Sequence, residues 1–147
     1  MSLEEATRYR RRFFQTYSGL KRWHDNERRA WQHGETETRT LTGRHRMEVE
    51  KLTDRLNAPV QGTAADGLKF ALALLWERRD ECTGAVPVLV CHDEIVVECD
   101  AEQAADAKAW LEGTMIEGMD AVMNGTGNTP VLVKVDARIA SSWSEGG

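Results

Sequence analysis

The stretch Val88–Cys99, VLVCHDEIVVEC, sets three polar side chains between two strongly apolar runs. Each run is rich in the β-branched residues that suit a pleated surface, and each is short enough to be a buried strand. His92, Asp93 and Glu94 then fall at or near the tip of a tight hairpin. Taken alone, an ordinary polar turn is favoured over groups mounted for chemistry, although a strand-borne group is held more firmly than one on a loop. Two carboxylates within about 4 Å repel by roughly 1 to 4 kcal/mol. A divalent cation relieves that repulsion, and magnesium, with its preference for oxygen ligands and retained waters, suits such a pair.

Upstream lies NAPVQGTAADGLKFALALLWERRDE, residues 57–81. Pro59 and Gly62 are expected to hold its first part out of regular helix. Thr63 followed by Asp66 forms a capping box that opens a helix. Ala64, Leu68, Ala71 and Leu75 supply an apolar stripe that packs on a sheet. The small residues Gly62, Ala64 and Ala65 leave room for a close approach or simply pack against a strand. Downstream, residues 101–123 read as a second helix, 124–128 as a loop and PVLVKVDARI, 130–139, as a third strand.

Further upstream, residues 4–33 are helical with an interruption near Ser18-Gly19. Tyr9, Phe13 and Tyr17 recur on one face, flanked by Arg8, Arg11 and Arg12, and packing is favoured for them over base stacking. Gly34 stands where a helix end takes glycine. ETETRTL and RMEVE alternate around Thr42-Gly43-Arg44-His45, the pattern of a hairpin with one polar face. Arg44 and Arg46 at its tip suit phosphate and suit a solvated turn equally. The fold class is α+β: a small antiparallel sheet with helices on one face, an N-terminal helical segment and a short hairpin.

A chain of 147 residues, 41% hydrophobic and 29% charged, has the composition of a soluble globular domain or of a piece of a larger one. No apolar run approaches the roughly 20 residues that span a bilayer, and no secretory leader is read, so no membrane partner is expected. Three cysteines, with Cys91 and Cys99 inside apolar strands, fit a reduced, cytoplasmic protein. The net charge of −5 is uneven: residues 1–55 hold 13 Lys+Arg against 9 Asp+Glu, or +4, and residues 56–147 hold 6 against 15, or −9. A basic half could hold phosphate and an acidic half metal, though an unevenly charged solvated surface gives the same count. Zinc lacks a second ligand pair, a serine hydrolase its glycine-flanked nucleophile, and nucleotide-binding glycine loops are missing. Residues 1–3 and 145–147 read as additions from expression.

NAPVQGTAADGLKFAL followed about twenty residues later by VLVCHDEIVVEC closely resembles the C-terminal part of family A DNA polymerases. That family carries N-x-P-x-Q-G-T-A-A-D before a long palm helix and V-H-D-E at the palm hairpin, here with Cys91 where valine is usual. TLTGRHR is similar to its T-x-x-G-R-R-R hairpin, with His45 replacing the middle arginine. RFFQTYSGLKRW resembles its Y-F-x-x-Y-P-x-V junction, with Ser18 in place of proline. The family's terminal G-x-x-W has become ASSW around Trp143.

The resemblance implies a division into the end of the fingers, residues 4–56, and the C-terminal half of the palm, residues 57–144. It implies that Asp93 is one of two palm aspartates that bind a catalytic Mg2+ pair, with Glu94 assisting and His92 beside the primer terminus. Asn57 and Gln61 would meet the minor groove and template strand, and Arg44 a phosphate. Thr53 stands where the family has an arginine, a contact that Arg55 is the candidate to replace. Asp66 and Asp136 are the local carboxylates nearest in kind to a second ligand, and both read as structural.

The implied partners are primer–template DNA, deoxynucleoside triphosphates and the missing N-terminal part of the polymerase. The D-Y-S-x-x-E-type segment and the K-x-x-x-N-F-G-x-x-Y-G helix have no match in the chain. The expectation is therefore a metal-dependent nucleotidyltransferase of DNA replication or repair, inactive as this chain alone, with an incomplete metal site and an apolar surface open to self-association. A non-enzymatic DNA-binding or partner module and one half of a split polymerase are the alternative readings.

Overall fold

The computed structural model describes residues 1–124 and 130–146. The expected loop at 124–128 falls, apart from Asn124, outside them. The chain is α+β, its described residues forming two separate two-stranded antiparallel sheets among helices. It forms two compact units, Met1–Val60 and Gln61–Gly147.

In the first unit, α1 (Leu3–Thr16) opens on a capping box. Ser2 Oγ accepts from the Glu5 N–H at 3.2 Å, and the Ser2 N–H donates to Glu5 Oε2 at 2.7 Å. The helix stops at Tyr17 (φ −102°, ψ 64°), and α2 (Ser18–Gln32) follows at once, so the expected interruption lies one residue earlier. Gly34, at φ +79°, ends the helical hairpin as glycine does just past a helix end. Tyr9, Phe13 and Tyr17 are exposed and α1 buries no residue, which corrects the packing role expected of them. Phe13 instead packs against Tyr17 along its own helix, the ring centroids 4.9 Å apart and the planes tilted by 52°.

Strands β1 (Thr38–Arg39) and β2 (His45–Arg46) pair Thr38 with Arg46 and Arg39 with His45, turning through Gly43 at φ +87°. The expected hairpin is present, but only two residues long on each side.

Helix α3 runs from Leu52 to Glu77 without a break at Pro59 or Gly62, so the expected irregular start and the capping box at Thr63 are both overturned. The reason is anchoring. Arg55, 5% exposed, donates to the carbonyls of Glu35 (2.9 Å) and Glu37 (2.8 Å), and its Nε lies 2.7 Å from Glu27 Oε2. These contacts fix the first two turns as helix. Proline's own φ is helical, but inside α3 Pro59 removes one intrahelical bond and its ring crowds the carbonyl four residues back, a cost of about 3 kcal/mol that the rest of the helix has to offset.

The second unit gathers the rest of α3, β3 (Val86–Cys91), β4 (Glu94–Glu98), α4 (Ala104–Asn124) and the short α5 (Trp143–Gly146). The buried face of α3 is Thr63, Gly67, Ala71, Leu74 and Leu75; Ala64, expected on the stripe, is exposed. Leu75, Ile95 and Leu111 form one core cluster and Cys82, Ala85 and Ala107 another, with Val97 and Trp110 packed against both. Burial pushes the Cys82 thiol pKa up, with Asp106 adding to the shift. The close approach occurs further along α3 than expected: a Cβ on Gly118 of α4 would lie 2.6 Å from the Ala71 backbone.

Two expectations about the sheet fail. First, β3 is not buried: Val86, Val88 and Val90 are 56%, 52% and 44% exposed. A strand is buried on both faces only where both are covered, and the core clusters draw on β4 rather than on β3. Second, residues 130–139 form no strand. Their exposure nevertheless alternates, with Val133, Val135 and Ala137 half-buried between exposed Lys134, Asp136 and Arg138. The period of two is encoded, but a strand also needs a neighbour for its backbone groups. Side chains supply two of those partners: Asn124 exchanges hydrogen bonds with the Val131 backbone (2.7 and 3.1 Å), and the Ala137 N–H donates to Glu112 Oε1 (3.2 Å).

Candidate active-site hairpin

The site residues on the second sheet owe their placement to register. Val90 pairs with Ile95 and Cys91 with Glu94, leaving His92 and Asp93 as a two-residue turn. Such turns take positive φ at their first position when of type II′, and His92 stands at φ +55° while Asp93 is not in the positive region. A left-handed backbone at a residue with a Cβ is costly, although histidine tolerates it better than most. Ile95, buried against Leu75 and Leu111, anchors the base of the hairpin one residue beyond Glu94.

His92, Asp93 and Glu94 are all exposed. Asp93 belongs to the turn, whereas Glu94 is already the last paired residue of β4. The arrangement offers a carboxylate, a neighbouring carboxylate and an imidazole to solvent, with paired strands beneath.

Magnesium asks for six oxygens in near-ideal geometry. Among the described residues, no three of His, Cys, Asp and Glu gather closely enough to hold a metal ion. The hairpin by itself therefore does not fit a two-metal centre. Asp136 is exposed in the irregular C-terminal segment, and Asp66 is half-buried and engaged on α3.

Asn57 and Gln61 stand one turn apart on α3 and both are exposed. Arg44 lies exposed at the tip of the β1–β2 hairpin, where its backbone exchanges hydrogen bonds with Thr40. Arg55 is no substitute for the arginine missing at Thr53, because its buried guanidinium is committed to Glu27, Glu35 and the 35–37 backbone. Sequence spacing could not reveal this, since the partners lie 18 to 28 residues away along the chain. Glu37 is held below the usual carboxylate range by a hydrogen bond from Arg39, with His45 adding to the effect.

A model of the family described as DNA polymerase family A matches residues 1–145. The chain belongs to the family A DNA polymerases. DNA polymerase I of Aquifex aeolicus (strain VF5) is 37% identical over 148 residues, an overlap of 99% of this chain and 25% of that protein. The thermostable DNA polymerase I of Thermus aquaticus is 34% identical, covering 95% of this chain and 17% of that protein. A mitochondrial DNA polymerase I B of Oryza sativa subsp. japonica is 33% identical over 84% of the chain and 14% of its own length. The chain spans a quarter or less of these family A relatives. Among the described residues, no helix is long and apolar enough to cross a membrane.

Proposed function

We propose that this chain is the C-terminal part of a template-directed DNA polymerase, in which it supplies one carboxylate of a metal-dependent nucleotidyl-transfer site, and that it is inactive alone. The observation that carries this reading is the exposed Asp93 at the turn of a two-strand hairpin. A carboxylate buried in a closed network could not serve an incoming DNA end, whereas this one is open to it.

Transfer of a nucleotidyl group concentrates charge on the attacking and leaving oxygens, and two metal ions are the usual way to neutralise both. Asp93 offers one ligand toward such a centre, and the remaining ligands have to come from the part of the polymerase not in this chain. Glu94 adds negative charge beside Asp93, and His92 offers an imidazole to the primer terminus. Asn57 and Gln61 carry amide donors suited to the minor-groove acceptors that every base pair presents, so they would test pair geometry irrespective of sequence. Arg44 would contribute a phosphate contact. Replication or repair, inside the cytoplasm, is the setting this chemistry serves.

The exposed valines of β3 support the companion proposal that the rest of the polymerase covers this face, with self-association as the outcome when it is absent. The test supplies the remaining N-terminal part of a family A polymerase, in cis or as a separate chain, and follows primer extension with magnesium and four deoxynucleoside triphosphates. Activity should appear only in the combination and be lost with Asp93→Ala while the fold persists. Near-normal extension by that variant would remove Asp93 from the chemistry, and extension by the 147-residue chain alone would overturn its inactivity.

A further inference from the structure

At the base of the β3–β4 hairpin, two of the three cysteines come together. All three are free thiols: Cys82 is buried, and Cys91 and Cys99 are half-buried. Val86 pairs with Glu98, so the register carried one residue further sets Cys99 across from Ala85. The Cys82 carbonyl accepts from the Ala85 N–H at 3.1 Å, closing a turn through Gly84 at φ +95°. Cys82 and Cys99 therefore flank the same alanine, one by a tight turn and the other by a strand spacing.

The side chains converge as the backbone does. Cys82 forms a core cluster with Ala85 and Ala107, and Cys99 packs against that cluster. Cys99 also acts on the Cys82 thiol electrostatically, adding to the rise in pKa that burial and Asp106 impose. Two neighbouring sulfurs are half of a thiolate metal site, but among the described residues no three of His, Cys, Asp and Glu gather to complete one. Cys91 stands at the far end of β3, opposite Glu94, about 16 Å of strand away. That is well beyond the Cα separation of about 7 Å that a disulfide can span.

We infer that Cys82 and Cys99 form a reversible disulfide clasp, closed by a small-molecule disulfide oxidant, at the base of the hairpin that carries Asp93. Half-buried Cys99 is the thiol the oxidant reaches. Its thiolate attacks one sulfur of the oxidant, forming a mixed disulfide and expelling the other sulfur, which takes up the proton that Cys99 lost. Cys82 then gives up its proton, attacks the Cys99 sulfur and expels the second small thiol. Burial holds Cys82 in its protonated form, so this displacement is the slower one. The chain loses two electrons and two protons, and one oxidant disulfide becomes two thiols. The bond links the segment after α3 to the end of β4 and encloses residues 82–99, restricting both strands beneath the turn. It uses none of the residues assigned to nucleotidyl transfer and does not rest on that assignment.

The test is oxidation of the full chain by oxidised glutathione, followed by alkylation with N-ethylmaleimide and measurement of the intact mass. One alkylated thiol, Cys91, should remain in place of three, and dithiothreitol should restore all three. In a Cys91→Ser background, cleavage after glutamates should yield residues 82–94 joined to residues 99–102. The thermal midpoint should rise by about 5–10 °C on oxidation and return on reduction. Cys99→Ser and, at the buried position, Cys82→Ala should each abolish both effects.

Three alkylated thiols in the folded chain after oxidation would overturn the pairing. So would a glutathione adduct that persists on Cys99, which would put Cys82 out of reach, or a bridge formed only between two chains. A Cys82–Cys99 bond that leaves the midpoint unmoved would overturn the clasp. Asp93→Ala should leave the bond and its effect intact. The thiol pair and the nucleotidyl-transfer assignment are therefore read in separate assays, and either can fail without the other.

Discussion

At His92 the backbone takes a left-handed turn with a bulky side chain in place of the glycine such a position favours. His92→Val puts a β-branched residue there and should cost about 1–3 kcal/mol, read from chemical denaturation of the chain. His92→Gly relieves strain but loosens the unfolded chain, so it should fall within about 1 kcal/mol of the parent. A valine variant as stable as the glycine one would show that the turn bears no strain.

Arg55 presents the opposite case of a charge kept inside. Its side chain is 6% exposed and its partner Glu27 20%, so Arg55→Ala leaves a poorly hydrated carboxylate and two deprived carbonyls. A loss of about 3–5 kcal/mol is expected, measured by the same unfolding transition. The second carboxylate, Glu35, is mostly exposed and adds little.

At the scale of elements, the crossing of α3 and α4 ranks three glycines. A Cβ at Gly118 would meet Ala71 backbone atoms at 2.6 Å, so Gly118→Ala must push the helices apart and should cost about 1–3 kcal/mol or more. At Gly67 the nearest atom is Sδ of the flexible Met119 side chain, at 2.5 Å, with the Met119 Cα at 3.3 Å, and the cost should be smaller. Gly113 has open space around it, and Gly113→Ala should gain up to about 1 kcal/mol from helix propensity. Thermal midpoints of the three variants check the order.

Arg78, just past the end of α3, is tied to Glu117 within α4 by two hydrogen bonds of 2.6 Å. The bond from Arg78 lowers the Glu117 pKa, so the pair's contribution is present above the ordinary glutamate range and fades as pH falls through the lowered value. Melting curves of the parent and of Glu117→Gln should therefore converge as the solution is acidified below about pH 4.3.

Several of these elements are legible in the residues. The β3–β4 hairpin follows from two β-branched runs around HDE, and the α2 terminus from Gly34. The unbroken α3 is not legible, because what holds Pro59 inside a helix is the distant loop that Arg55 grips. Nor is the fate of residues 130–139: alternation specifies a pleat, while pairing depends on a neighbour that the segment itself cannot encode. Of the candidate site, Asp93, Glu94, His92, Asn57 and Gln61 lie exposed, the one feature of it that the polar turn and the helix start made legible. The burial of Arg55 and the meeting of Cys82 with Cys99 depend on tertiary contacts that spacing alone leaves open.

For the whole molecule, the expected deficiency is one of cover rather than of local structure. Val86, Val88 and Val90, with Leu132 at 80% exposed, leave apolar side chains in water. On the proposed function, binding of the remaining polymerase part should therefore stabilise the chain by mass action, by about 2.7 kcal/mol when the partner is at a hundredfold of its dissociation constant. Differential scanning fluorimetry with and without that partner measures it, and an unchanged midpoint would argue that β3 is not its docking face.

The outer side of β3 also has a biological corollary. Among the described residues, that strand has a neighbour on one side only in the β3–β4 sheet, so a run of valines is displayed beside unmated peptide groups. Translated without its complement, such a polypeptide should be a steady client for holdase chaperones and a substrate for quality-control proteases. Its cellular lifetime would then be set by how quickly a matching strand arrives.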